Sequence, residues 1–147
     1  MTDKNGAIIA TTGIIAGQHN DSFELEQKLK NVFKDLQRCG LDYKGALFNA
    51  DSSFDTRAAR KLLWNRGVIP NIPENKRNRK RIKRGRKRHF NQEAYKRRFV
   101  SERTFAWVDK FKTLLIRFER KAAYCLGFHH IAFALINLRH LMEESLS

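Results

Sequence analysis

The feature that most limits how this chain can fold is the run from Lys76 to Arg88, in which ten of thirteen residues are Lys or Arg. Such a stretch has almost nothing to bury and its cations repel one another, so residues 75–90 read as an exposed basic loop. The loop separates two patterned stretches of sequence. At 147 residues the chain has the length of one domain with a hydrophobic core, hardly of two. The formal net charge is +15, about two-thirds of it from this run, and charge on that scale calls for a polyanionic partner.

Before the loop, strand and helix patterns alternate. Gly6 to Gly17 is rich in β-branched residues with Gly13 between, and predicts two short strands in a hairpin. His19-Asn20-Asp21-Ser22 is turn and capping chemistry. From Phe23 to Arg38 the apolar residues Phe23, Leu25, Leu29, Val32, Phe33 and Leu36 keep a helical period, and Gly40 supplies the stop. Gly45 to Ala50 is a short, nearly continuous apolar run, the mark of a strand buried on both faces. A second helix follows Asp55 or Thr56 as cap, with Ala59, Leu62 and Leu63 inward and Gly67 just past its end. Val68 to Ile72 predicts another strand, which Pro70 and Pro73 demote to an edge. Hairpin, helix, strand, helix and edge strand together argue for an α/β sheet.

After the loop the pattern is helical throughout. One long helix is predicted from Asn91 to about Arg120, with Val100, Trp107, Phe111, Leu114, Leu115 and Phe118 on a broad face. A second runs from Ala122 to about Glu144, with Ala123, Leu126, His130, Ala134, Leu138 and Leu141 along a stripe.

Several classes of function are set aside by composition. Cys39 and Cys125 lie far apart in helical patterns and suggest neither a disulfide framework nor a zinc site, so a reducing cytoplasm is expected. The start has no signal design, and the longest apolar stretch, Tyr124 to Leu138, is too short for a bilayer. There is no Gly-rich phosphate loop and no Ser/His nucleophile arrangement.

Two acidic residues stand out in what remains. Asp51 lies where the apolar strand gives way to a helix, and ligands in open α/β sheets collect outside the carboxyl ends of strands. A carboxylate there suits a hard cation, although a turn or cap role fits the same position. Asp55 reads more simply as a turn or cap residue. Glu102 follows Tyr95 and Arg98 at i, i+3, i+7, one stripe of a helix. An Arg one turn before a Glu can orient the carboxylate or hold a phosphate, and an ordinary exposed ion pair has the same spacing. Lys76, Arg77, Arg79, Lys80, Arg81, Lys83, Arg84, Arg86, Lys87 and Arg88, joined by Lys96 and Arg97, would neutralise phosphates without reading sequence. Tyr95, Phe99, Phe105 and Trp107 could stack on unpaired bases, or simply form core. His19, His129 and His130 lack ligand spacing and read as structural.

Taken in order, Ala16-Gly17-Gln18-His19-Asn20-Asp21, Phe48-Asn49-Ala50-Asp51-Ser52-Ser53-Phe54-Asp55, Ile69-Pro70-Asn71-Ile72-Pro73 and the stretch from Tyr95 to Trp107 resemble the C-terminal part of the catalytic domain of bacterial insertion-sequence DDE transposases. The resemblance covers nearly the whole chain. It implies a ribonuclease-H-like α/β core, part of which this chain would form, and a triad of Asp, Asp and Glu holding two Mg²⁺ (or Mn²⁺) ions. It further implies cleavage and strand transfer at the ends of a mobile DNA element, where one ion activates the attacking oxygen and the other steadies the leaving one. Asp51 then matches the second Asp, and Glu102 the Glu of a Y-x2-R-x3-E-x6-K signature in which Tyr95 and Arg98 are in register. The signature's Lys falls at Asp109, and Lys110 comes one residue later, about 100° around the helix. The family's first Asp sits on a strand before the hairpin, whereas this chain starts within the hairpin, and Asp21 belongs to a separate motif. The expectation is a truncated or split-frame copy that binds DNA without completing transposition alone. Two other readings fit the same residues: a non-catalytic basic DNA-binding protein, and a regulator that pairs with full-length transposase through the C-terminal helices.

Overall fold

The structure, a computed structural model, describes residues 1–13, 24–75, 88–116 and 119–145. The chain divides into two compact units, Gly17–Arg98 and Met1–Ala16 with Phe99–Ser147.

The first unit is built on α1 (Leu25–Arg38), β1 (Leu47–Asn49), α2 (Arg57–Asn65), β2 (Ile69–Asn71) and α3 (Gln92–Lys96), with a short 3-10 turn at Ser52–Phe54 between β1 and α2. Leu25, Leu29, Val32, Phe33 and Leu36 are the buried stripe of α1, and Ala59, Leu62 and Leu63 that of α2. With Val68 and Ile72 they form the core. Thr56 caps α2, its hydroxyl accepting from the Ala59 amide at 3.1 Å. Both helices end in the same way. Beyond α2, Val68 N donates to Leu63 O and Gly67 N to Trp64 O; beyond α1, Leu41 N donates to Leu36 O and Gly40 N to Gln37 O. This double closure places the residue after the cap in the left-handed region, where glycine carries no Cβ penalty, and Gly67 has φ 73°.

β1 and β2 pair in parallel with Leu47 opposite Ile69, Phe48 opposite Pro70 and Asn49 opposite Asn71. Among the described residues these are the only strands longer than a single bridge. The expectation that Gly45–Ala50 is buried on both faces is therefore corrected. Leu47 is 39 % exposed and Phe48 and Asn49 are only half-buried, so β1 is not enclosed by packed layers on both faces.

The second unit is helical: α4 (Phe99–Val108), α5 (Lys112–Leu115) and α6 (Ala122–Ser145). Of the hairpin expected over Gly6–Gly17, residues 14–17 lie outside the described residues, and residues 6–13 form no strand. Ile8 is instead bridged antiparallel to Thr2. The turn comes early because Asp3 Oδ1 accepts the amides of Asn5, Gly6 and Ala7. Asn137 of α6 then takes both backbone groups of Ile8, at 2.8 and 2.9 Å. Gly6 has φ 100°, and a Cβ there would meet Thr104 Oγ1 at 3.0 Å. The buried Thr104 hydroxyl donates to Gly6 O.

The long helix predicted from Asn91 is also corrected. It is three pieces, α3, α4 and α5, and the first break falls at Arg97–Arg98, where Arg98 N bonds back to Tyr95 O in a tightened last turn. No Gly or Pro marks that break. The stripe expected on α6 is rotated: Cys125, Ala132 and Ile136 are buried, whereas Leu138 and Leu141 are 54 % and 61 % exposed. Apolar residues surround α6, so periodicity gives no phase. The polar anchors set the phase instead, Asn137 on Ile8 and the His140 ring stacked on Trp107 with centroids 6.1 Å apart.

Candidate functional site

Asp51 lies two residues past the end of β1 and caps the 3-10 turn. Its Oδ1 accepts from the Ser53 amide at 2.7 Å and from the Ser53 hydroxyl. The capping role and the strand-end position thus coincide, and a carboxylate has acceptor capacity for both a cap and a cation.

Tyr95 and Arg98 are brought together in the same unit, with the Arg98 guanidinium carbon 5.6 Å from the Tyr95 ring centroid. Glu102 is exposed on α4, across the helix break and in the other unit. The single helical stripe expected for Tyr95, Arg98 and Glu102 therefore does not exist. Lys110 lies in the turn after α4, its Nζ 5.1 Å from the Trp107 ring, against which Arg139 also packs at 3.9 Å. Lys96 and Arg97 are exposed. Lys76, Arg77, Arg79, Lys80, Arg81, Lys83, Arg84, Arg86 and Lys87 lie outside the described residues, as does Asp21.

Sequence reasoning missed the polar framework beneath this surface. Asn71 is fully buried. Its amide donates to Asn49 Oδ1 at 2.7 Å and to Asn91 O at 2.9 Å, and its carbonyl accepts the Asn91 amide at 2.7 Å. Asn91 in turn caps α3 through Ala94 N, and Asn49 donates to Ala94 O. Three asparagines thus fasten α3, and with it Tyr95, to β1 and β2. Replacing Asn71 by Leu should cost about 1–3 kcal/mol for each polar group left orphaned. Native-state hydrogen exchange checks this: the Asn91 amide should lose its protection in the variant.

Of the two capping candidates, Asp55 and Thr56, Thr56 takes the role. Asp55 Oδ1 receives Arg60 Nε at 2.7 Å and Arg88 Nη1 at 2.6 Å, while Oδ2 receives the Asn75 amide at 2.9 Å. Arg60 reaches on to Ile72 O at 2.7 Å. Burial pushes the Asp55 carboxyl up, but the Asn75 amide and the two guanidinium groups outweigh it and hold the group below the usual carboxylate range. No local sequence signal exposes this role, because two of the three partners are 20 and 33 residues away.

Among the described residues, no group of three or more His, Cys, Asp or Glu gathers to hold a metal ion. Asp51 and Glu102 are oxygen donors of the kind Mg²⁺ takes, but these residues assemble no complete ligand set. Also among the described residues, no helix is long and apolar enough to cross a membrane.

An α/β unit with a carboxylate just past a strand end, an Arg-over-Tyr pair on the same unit and a dense cationic segment in the sequence has the chemistry of proteins that meet polyanions. Residues 48–139 match the family described as the transposase DDE domain, and the chain belongs to that family. It is 36 % identical over 139 residues to the protein assigned as the transposase of insertion sequence element IS402 from Burkholderia cepacia. The match takes in 92 % of this chain and 59 % of that relative, so the chain spans less than two-thirds of the relative's length. No solved structure matches it.

Proposed function

We propose that the chain is part of the catalytic core of an insertion-sequence transposase, acting on DNA by metal-dependent strand cleavage and strand transfer. The observation that carries this reading is the family match, whose span from 48 to 139 includes both Asp51 and Glu102 in their motif contexts. Asp51 and Glu102 are the carboxylates that would hold Mg²⁺ or Mn²⁺, in a ribonuclease-H-like arrangement completed by a further acidic residue. When bound, the ions supply activation of the attacking oxygen and stabilisation of the leaving one. Tyr95, Arg98 and Lys110 support the site, and Lys96, Arg97 and the basic segment contact DNA phosphates. A bacterial cytoplasmic setting with access to the nucleoid follows from such a substrate.

The test is strand cleavage of an element-end oligonucleotide with Mg²⁺ or Mn²⁺, by this chain and by the chain supplied with the remaining transposase sequence. Asp51→Asn and Glu102→Gln should each lower cleavage by at least about 100-fold, the upper end of what losing even an outer-sphere metal partner costs. Cleavage unaffected by both substitutions would remove them from the site. Efficient cleavage by the chain alone, abolished by Asp51→Asn, would show that it is no incomplete copy.

One observation favours a second reading, that the chain also pairs with full-length transposase or with itself. Ile131, Leu135, Leu138, Leu141 and Met142 of α6 are each at least half exposed, an apolar surface larger than scattered exposed side chains usually make. Concentration-dependent pairing, lost when Leu138 and Leu141 are made polar, is its expected signature.

A further inference from the structure

We infer that the groove between α1 and α2 is a contact surface for the DNA backbone, in which Lys61, Asn65 and Arg66 hold phosphates. This rests on the reading that the chain acts on DNA.

Both helices belong to the Gly17–Arg98 unit. The groove between them, about 610 Å³, is lined by Glu26 and Lys30 of α1 and by Lys61, Leu62, Asn65 and Arg66 at the α2 side. Glu26 is the single anion among these residues, and Lys30 holds it at 2.8 Å, so the charge left over belongs to Lys61 and Arg66. Among the described residues, neither of those two forms an ion pair. α2 contains no Asp or Glu, and Arg57 stands one turn before Lys61, a like-charge spacing that costs a helix stability. Helix stability therefore does not account for this face. Arg66 packs over the buried Phe33 ring, its guanidinium carbon 5.1 Å from the centroid, so part of the rotamer freedom that a phosphate contact removes is already lost. Asn65 follows Lys61 by four residues, and its amide can donate to the same stretch of backbone.

The lining also selects among polyanions. Leu62 is 8 % exposed and Ala58 adds only a methyl group, so the groove offers no pocket for the large apolar anchors by which a helical peptide docks. A sugar-phosphate backbone needs cations and hydrogen-bond donors over a shallow floor, and Lys61, Asn65 and Arg66 supply them. The groove is separate from the strand-end carboxylate. Asp51 precedes the first turn of α2, whereas Asn65 and Arg66 lie at its last turn, about 13 Å along the axis. It therefore holds DNA away from the bond that is cut.

The experiment titrates the full chain with a short generic DNA duplex over a range of salt. Lys61→Gln should lower the slope of log K against log salt by about 0.9, and Lys61→Gln combined with Arg66→Gln by about 1.8. Arg66→Lys keeps the charge and should leave the slope unchanged, which separates charge from lost packing on Phe33. Lys61 is exposed and Gln is a comparable helix former, so Lys61→Gln reads the groove in a folded chain. In parallel, a photoactivatable probe on Asn65→Cys, in a Cys39→Ser background, should crosslink the duplex. The same probe on Asn31→Cys, an α1 position that does not line the groove, should not. An unchanged slope for Lys61→Gln, or no more crosslinking from Asn65→Cys than from Asn31→Cys, overturns the inference. Preferential crosslinking to polyglutamate, offered beside the duplex at equal anionic charge, would assign the groove to an acidic protein segment and overturn the DNA contact. A parent chain without salt-sensitive DNA binding would instead sink the DNA reading, and this inference with it.

Discussion

Replacing Phe33 by Ala should destabilise the Gly17–Arg98 unit by about 3–5 kcal/mol. Phe33 is 1 % exposed on α1, with the Tyr43 ring 4.9 Å from its own and Arg66 5.1 Å from its centroid. Truncation removes the transfer energy of the ring, leaves a void between α1 and its neighbours, and withdraws the surface against which Tyr43 and Arg66 pack. Small domains hold a margin of about 5–15 kcal/mol, so much of it would go. Urea unfolding followed by circular dichroism is the check. Phe105→Ala, at a residue 58 % exposed, should stay within about 0.5 kcal/mol of the parent. Near-equal effects of the two substitutions would mean that α1 does not seat on this core.

Asp55→Ala should cost about 3–5 kcal/mol, because it leaves Arg60 buried without its anion. The cost arises from stranding a charge rather than from any large net worth of the pair. A pH dependence accompanies it. The folded carboxyl titrates below its unfolded value of about 3.9, so its stabilisation is complete above that pH and is lost as pH falls through the depressed folded value. Urea midpoints of the parent should therefore sag below about pH 4. That component should vanish in Asp55→Asn, whose side chain does not titrate. A sag of the same size in both proteins would assign the acid sensitivity to other carboxylates.

What could be read from the sequence tracks how local each determinant is. α1 and α2 were legible to within a residue or two, because their buried stripes recur at helical spacing and glycine follows each end. Thr56 as cap, and Pro70 at a sheet edge, were legible for the same reason. The break between α3 and α4 was not, since Arg97 and Arg98 are ordinary helix residues and a tightened turn leaves no compositional mark. Nor was the phase of α6, which two polar contacts choose among several apolar faces. Asp51 was legible as a carboxylate just past a strand, and it lies two residues beyond β1. The ion-pair role of Asp55 and the clasp made by Asn71 were not, because most of their partners lie far along the chain. Each side chain meets them only after the parallel pair and the Asn91 turn have formed.

The register of the two strands gives sheet extension a direction. Ile69 N points at Ala46 O, so the alternation of a strand turns the nitrogen of Pro70 away from β1, where it has no hydrogen to offer. An incoming strand is disfavoured on that flank. On the far flank of β1, Leu47 and Asn49 present their amides and carbonyls outward, and a third strand could continue the ladder there. That strand would run beside β1, which ends two residues before Asp51. A carboxylate carried near its tip would arrive next to Asp51, whichever polypeptide supplied it.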